Sequence, residues 1–300
     1  MPEAKTLAWR AIEGIKKRMG GTLVVDCSGK RKKMRAGKLL ALSMVLAEKL
    51  RELPEERIGI VLPPGIGGFV ANLAVALANK SSVNLNFTAA TGVVRKAMEM
   101  AGVKTVLTAS QVVEKFREFP WPVDTRELQK IFSEKGTRRR VLYRLAQAHL
   151  YSAARLARKW KVDKYSPKEA TLLFSSGSTG IPKGVPLTHG NIGANVDQIE
   201  TVKLLPTGTR ILGCIPIFHS FGMTVTMWYP LCHVLRVITY PSPIDTTALG
   251  KIIKKERPSV LVGTPSFFRL YMKQIPARNL RSVTSVVAGA EKTPKGLQEK

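Results

Sequence analysis

Acidic residues are scarce in this chain. Across 300 residues, 21 aspartates and glutamates stand against 48 lysines and arginines, a formal charge of +27. Such an imbalance does not set a fold, but it favours anionic partners: lipid surfaces, nucleotides, nucleic acid or an acidic carrier protein. Cysteine is sparse as well. Cys27, Cys214 and Cys232 are odd in number and far apart, showing neither metal-ligand spacing nor a disulfide framework, as expected of reduced cytosolic thiols. Long apolar runs are missing. The N-terminal stretch MPEAKTLAWRAIEGIKKRMGG lacks the continuous apolar core of a signal peptide. The longest apolar window, Gly222–Tyr240, is broken by His233, Arg236 and prolines, so it reads as buried helix plus strand rather than a membrane span. No internal repeat or low-complexity tract occurs. These absences predict a soluble cytoplasmic protein, or one peripheral on the inner face of the cell membrane.

What is present alternates. Helical periodicity marks Lys38–Leu53, Gly67–Ala78, Val93–Ala101 and Asn191–Thr201. Short apolar, β-rich runs mark Arg57–Leu62, Ser82–Leu85, Thr105–Thr108, Ala170–Phe174, Arg210–Ile215, Val234–Thr239, Val260–Val262 and Val283–Ala288. Strands spaced by helices predict an α/β fold with mainly parallel sheets flanked by helices.

One segment stands apart. Arg138–Lys164 carries nine basic residues and the single acid Asp163. Drawn as one helix, it puts Arg140, Arg144, Tyr151, Arg155 and Lys159 on one side and Leu142, Leu145, His149, Ala153, Leu156 and Trp160 on another. A basic amphipathic helix suits an anionic membrane surface or an acidic protein; it equally suits a helix packed on its own domain with a solvated basic face.

The stretch most directly tied to chemistry is Ser175–Gly184, SSGSTGIPKG, after the apolar run Ala170–Phe174. Glycines permit close approach, backbone amides and hydroxyls can wrap an anion, and Lys183 adds a point charge. Pro182 stiffens the loop ahead of that lysine. The spacing is neither that of a Walker loop nor that of a dinucleotide fingerprint, so phosphate binding is the general expectation.

At these residues the chain resembles the adenylate-forming superfamily: acyl-CoA and acyl-carrier-protein synthetases, luciferases and peptide-synthetase adenylation domains. Further segments agree in order: VNLNFT (Val83–Thr88), IPIFHSFGMT (Ile215–Thr224), VGTPSFFRLY (Val262–Tyr271) and VVAGAEK (Val286–Lys292). FHSFGMTVTMWYPL, YPSPID and VVAGAEK are similar, more narrowly, to the synthetase half of bacterial bifunctional acyl-carrier-protein synthetases that also reacylate lysophospholipid. The acyltransferase motif of those proteins, histidine with aspartate five positions on, is absent: Ala154, Ala194, Thr224 and Ile238 follow the four histidines.

The resemblance implies ATP-dependent activation of a long-chain fatty acid to an acyl-adenylate, with transfer to the phosphopantetheine thiol of coenzyme A or an acyl carrier protein. It implies ATP with Mg²⁺, and β- and γ-phosphates held by Ser175, Ser176, Gly177, Ser178, Thr179, Gly180, Lys183 and Gly184. His219, with Phe218 and Phe221, is expected to gate the acyl pocket; Met223 and Trp228 fit either an acyl channel or ordinary core. Gly289, Ala290 and Glu291 are expected beside the adenine, whereas His189 is expected to help start the helix after the loop. The whole chain, 1–300, corresponds to a partial N-terminal adenylation domain. The family's Thr-Glu segment, ribose-binding aspartate and small C-terminal lid domain with its catalytic lysine have no counterpart in it. A fragment with impaired turnover is therefore expected, with a non-catalytic basic module or an inactive synthetase-like piece as the alternatives. No nucleic-acid-binding motif supports a nucleic-acid partner.

Overall fold

In the computed structural model, residues 5–163, 168–175, 182–202, 205 and 208–294 are described. Along the chain, α1 (Leu7–Lys17) precedes the hairpin of β1 (Thr22–Asp26) and β2 (Lys32–Arg35), and α2 (Ala36–Arg51) follows. Then β3 (Arg57–Ile60), α3 (Ile66–Leu77), β4 (Ser81–Asn84), α4 (Thr91–Ala101), β5 (Thr105–Thr108), α5 (Ser110–Lys115), β6 (Asp124–Glu127) and α6 (Leu128–Ser133) alternate. Helices α7 (Thr137–Leu150) and α8 (Ala153–Lys159) lead to β7 (Glu169–Ser175) and β8 (Lys183–Thr188). After α9 (His189–Thr201) and β9 (Arg210–Gly213) come α10 (Ser220–Met223), a π-helical turn (Thr224–Trp228) and α11 (Tyr229–His233). The described chain ends with β10 (Arg236–Thr239), α12 (Thr246–Glu256), β11 (Val260–Gly263), α13 (Pro265–Gln274), α14 (Ala277–Leu280) and β12 (Ser285–Ala288).

The strands form two six-stranded sheets, ordered β12-β11-β9-β10-β1-β2 and β6-β5-β3-β4-β7-β8. Each has five parallel strands and one antiparallel edge strand, β2 in the first and β8 in the second. Residues of both sheets, including Val24, Ile211 and Val237 of one and Ile58, Ile60 and Leu107 of the other, join a single core with α1, α2 and α3. The outer face of the β3 sheet packs on Val94, Met98 and Ala101 of α4. The outer face of the β9 sheet packs on α12 and α13 through Leu249, Ile253, Phe268 and Tyr271. Strands covered on both faces explain why their sequences are apolar runs rather than alternations. Between the sheets, α2 and α3 are buried on most sides, hence their poor amphipathicity.

Helix α1 shows how local chemistry fixes the packing. Thr6 caps it by accepting from Trp9 N, and its hydroxyl donates to Val162 O at 2.6 Å. Leu7, Ala8, Ala11, Ile12 and Ile15 give it one apolar face. Gly14 allows backbone-to-backbone contact with α11, since a Cβ there would sit 2.0 Å from Cys232 O.

His189 is the first residue of α9, as expected of a helix-starting position, and Thr188 caps that helix in a reciprocal box with Asn191. The imidazole is buried and its Nδ1 accepts from Leu7 N at 3.3 Å, so it satisfies the first amide of α1. Burial lowers its pKa from 6.5 to about 4. Between those values the unfolded chain binds a proton that the folded chain refuses. The stability present above pH 6.5 is therefore lost as pH falls toward 4, by about 3 kcal/mol for this group. His189→Asn keeps an acceptor for Leu7 N and removes the titration. Urea unfolding across this pH range should show the variant losing about 3 kcal/mol less than the parent; parallel losses would contradict the assignment.

The single basic helix expected over Arg138–Lys164 is not formed. It breaks at Tyr151-Ser152, where Ser152 caps α8 by accepting from Arg155 N, and Lys164 lies outside the described residues. The break resets the helical phase, so the expected apolar side is divided: Leu156 and Trp160 are buried while Leu142 and His149 face outward. The basic side is divided too, with Arg140 and Arg144 both ion-paired to Glu48 of α2.

Candidate functional site

In parallel α/β sheets, ligands bind beyond the carboxyl ends of the strands, and the described residues among those singled out by sequence fall there. Ser175 ends β7 and Lys183 begins β8; the two are paired across the antiparallel ladder, as are Phe174 and Gly184. Ser175 and Lys183 are exposed. Ser176, Gly177, Ser178, Thr179 and Gly180 lie outside the described residues.

On the other sheet, the segment after β9 turns sharply to present Phe218 and His219. Gly222 makes the turn feasible, for a Cβ there would lie 2.4 Å from Pro216 O. His219 is the N-cap of α10, with its ring 4.7 Å from that of Phe218. Partial burial lowers its pKa, so near neutral pH it is an uncharged donor–acceptor rather than a cation. Downstream, the helix widens into a π turn just ahead of Pro230, which supplies no amide to a regular ladder. Met223 and Trp228 are buried in the central core; of the two uses open to them, packing is the one observed.

Beyond β12, Gly289 N donates to Gly263 O at 3.2 Å, and a Cβ on Gly289 would sit 2.8 Å from the Phe221 ring. Ala290 has φ of 65°, a left-handed conformation that costs a non-glycine residue on the order of 1 kcal/mol. The turn thus aims Glu291 back at α13, where it accepts from Ser266 Oγ at 2.6 Å and Ser266 N at 3.2 Å. The Ser266 hydroxyl lowers the Glu291 pKa, and a carboxylate suits a helix N-terminus. Phe221 and the Gly289–Ala290–Glu291 turn are therefore one cluster.

Sequence reasoning assigned no role to Phe87 and Phe116. Phe87, just past β4, packs edge-on against Phe218 at 5.4 Å and 88°. Its other side meets Phe116 at 5.1 Å. The carboxyl ends of the two sheets thus touch through Phe87 and Phe218. An open cavity of about 350 Å³ lies against this cluster, lined by Phe87, Val94, Phe116 and Phe119 with Lys115 and Arg117. The signal available in sequence was the position of Phe87 inside VNLNFT. A larger cavity of about 450 Å³ lies near the amino ends of β3, β4 and β7, around the Arg57–Glu169 ion pair, and is remote from these residues by topology.

A family model described as "AMP-binding enzyme" matches residues 15–300. The chain is 31% identical over 147 residues to a long-chain-fatty-acid–CoA ligase of Bacillus subtilis, covering 46% of this chain and 26% of that protein. It is 32% identical over 136 residues to the acyl-CoA ligase sidI of Aspergillus fumigatus, covering 43% and 22%. The matched stretches thus span about a quarter of the length of these curated relatives. Among solved structures, an inhibitor-bound N-terminal domain of FACL13 from Mycobacterium tuberculosis superposes with a TM-score of 0.77 at 19% identity, over 98% of this chain and 72% of that one. O-succinylbenzoate coenzyme A synthetase of Bacillus subtilis, in complex with AMP, superposes with a TM-score of 0.74 at 18% identity, over 97% and 69%. At these identities the structural likeness speaks to fold.

Proposed function

The chain belongs to the AMP-binding enzyme family, and from that premise we propose that it activates a long-chain fatty acid as its acyl-adenylate and passes the acyl group to a phosphopantetheine thiol. The observation carrying this reading is the contact of Phe87 with Phe218. It brings the apolar residues of one sheet beside the phosphate-loop hairpin's own sheet, as a ligand with an apolar tail and a nucleotide head requires. A curated relative named as a long-chain-fatty-acid–CoA ligase supports the choice of acid.

In the first step a carboxylate oxygen bonds to the α-phosphorus of ATP and the bond to pyrophosphate breaks. Negative charge concentrates on the phosphates, so preorganised donors and cations supply most of the help. Ser175, Ser176, Ser178, Thr179 and Lys183 hold the β- and γ-phosphates, and Gly177, Gly180 and Gly184 let the backbone come close. His219, neutral and anchored beside Phe218, orients the acid without taking its proton, and Phe221 shapes the passage between acid and nucleotide. The Gly289–Ala290–Glu291 turn lies against the adenine.

No group of three metal-ligating side chains exists among the described residues. Magnesium, when bound, would supply a hard cation that neutralises negative charge on the phosphates. In the second step the acceptor sulfur bonds to the acyl carbon and AMP leaves. Coenzyme A and an acyl carrier protein share that thiol; the chain's charge of +27 favours the acidic carrier. Titration with a non-hydrolysable palmitoyl-adenylate mimic tests the reading: the mimic should bind far more tightly than AMP.

A further inference from the structure

Helix α7 carries apolar residues on the wrong side for packing. Arg138, Arg139, Leu142, Tyr143, Ala146, His149 and Leu150 fall within one exposed arc of its surface. Leu142 and Tyr143 are 58% and 57% exposed, and Leu150 is 81% exposed. The opposite side holds the helix in place: Thr137, Gln147 and Ala148 are buried, and Arg140 and Arg144 pair with Glu48. Lys16 secures the last turn by donating to the carbonyls of Ala148 and His149 at 2.7 and 3.1 Å. The outward apolar arc is thus fixed by packing behind it.

Along α7 and α8 the charge has one sign. Arg138, Arg139, Arg158 and Lys161 are exposed and have no ion-pair partner among the described residues. Arg155 stacks on Tyr151 at 4.0 Å, and Lys159 lies over the same ring. Between residues 137 and 163 the single acid is Asp163. Exposed leucines and a tyrosine set among unpaired cations are the composition of a helix that lies in a bilayer interface, apolar residues in the acyl boundary and cations reaching the headgroups. No helix among the described residues is long and apolar enough to cross a membrane, so the mode of attachment is peripheral.

We propose that α7, together with α8, docks the protein on an anionic lipid surface, inserting Leu142, Tyr143 and Leu150 and placing Arg138, Arg139 and Arg158 against the headgroups. This goes beyond acid activation and has its own readout, so either reading can fail without the other. An exposed cation near anionic lipid contributes about fivefold to affinity, and three together contribute on the order of 100-fold.

The test is co-sedimentation of the full chain with vesicles of phosphatidylcholine alone or mixed equally with phosphatidylglycerol. The parent protein should bind the anionic vesicles at least about tenfold more tightly, with binding weakened by salt. Arg138→Gln/Arg139→Gln/Arg158→Gln should lower that affinity on the order of 100-fold. Leu142→Ser/Leu150→Ser should also lower it, about tenfold or more, with no change in charge. All substituted side chains are exposed, and unchanged thermal melts verify the fold. Equal binding to neutral and anionic vesicles, or binding indifferent to the arginine substitutions, overturns the proposal. Binding that survives the serine substitutions contradicts insertion. Capture of a soluble acidic carrier protein without vesicle binding reassigns the face to a protein partner.

Discussion

Replacing Lys183 with alanine should slow palmitate-dependent exchange of labelled pyrophosphate into ATP on the order of 100-fold, the loss typical of one preorganised donor at a site of developing negative charge. The lysine is the first residue of an edge strand, exposed and paired through its backbone with Ser175. Its side chain supports no described packing, so the urea midpoint should stay within the few tenths of a kcal/mol usual for surface changes. Lys183→Arg retains the charge but replaces a compact ammonium with a planar fork, and should restore only part of the rate. Exchange at the parent rate in Lys183→Ala would remove this lysine from the phosphate site.

Gly222→Ala should be the most disruptive of the small substitutions near the site. The added methyl would lie 2.4 Å from Pro216 O and 2.9 Å from Ile215 O. Both are backbone atoms and cannot swing aside as a flexible side chain would. Either the turn opens or α10 shifts, and both displace Phe218 and His219. We expect a loss of about 3 kcal/mol, the upper end for overpacking, together with loss of adenylate-mimic binding beyond what the unfolded fraction explains. Gly92→Ala is the control, because a Cβ there meets nothing within 4 Å and Gly92 sits in α4. Alanine should be neutral or stabilising at that position, by up to about 1 kcal/mol. Similar outcomes for the two substitutions would contradict the tight turn.

Much of this architecture is readable in the chain because parallel strands covered on both faces leave uninterrupted apolar runs. Thr105–Thr108 is a strand over the four residues expected, and the Arg57, Arg210 and Val260 runs each hold a strand. Lys32–Arg35 and Asp124–Glu127 escape notice because they lie at sheet edges and carry mostly polar residues. Their pairing comes from neighbours, as when Thr105 Oγ1 donates to Asp124 at 2.6 Å. In the basic segment, counting residues around one long helix overlooked Ser152, whose side chain starts a new helix in a new phase. At the site, Phe218, Phe221 and Gly289 are legible as motif residues. The contacts of Phe87, itself inside VNLNFT, with Phe218 and Phe116 are not, since packing between separate segments leaves no periodicity in either.

The central claim is that one ligand spans both sheets, its acyl tail in the aromatic cluster and its adenylate between the β12 turn and the phosphate hairpin. Isothermal titration of the folded chain with a non-hydrolysable palmitoyl-adenylate mimic, AMP and palmitate measures this most directly. The mimic should bind at least about 100-fold more tightly than AMP or palmitate alone, as linked ligands do when both halves are seated at once. A mimic that binds no better than AMP, or does not bind the folded protein at all, would contradict it.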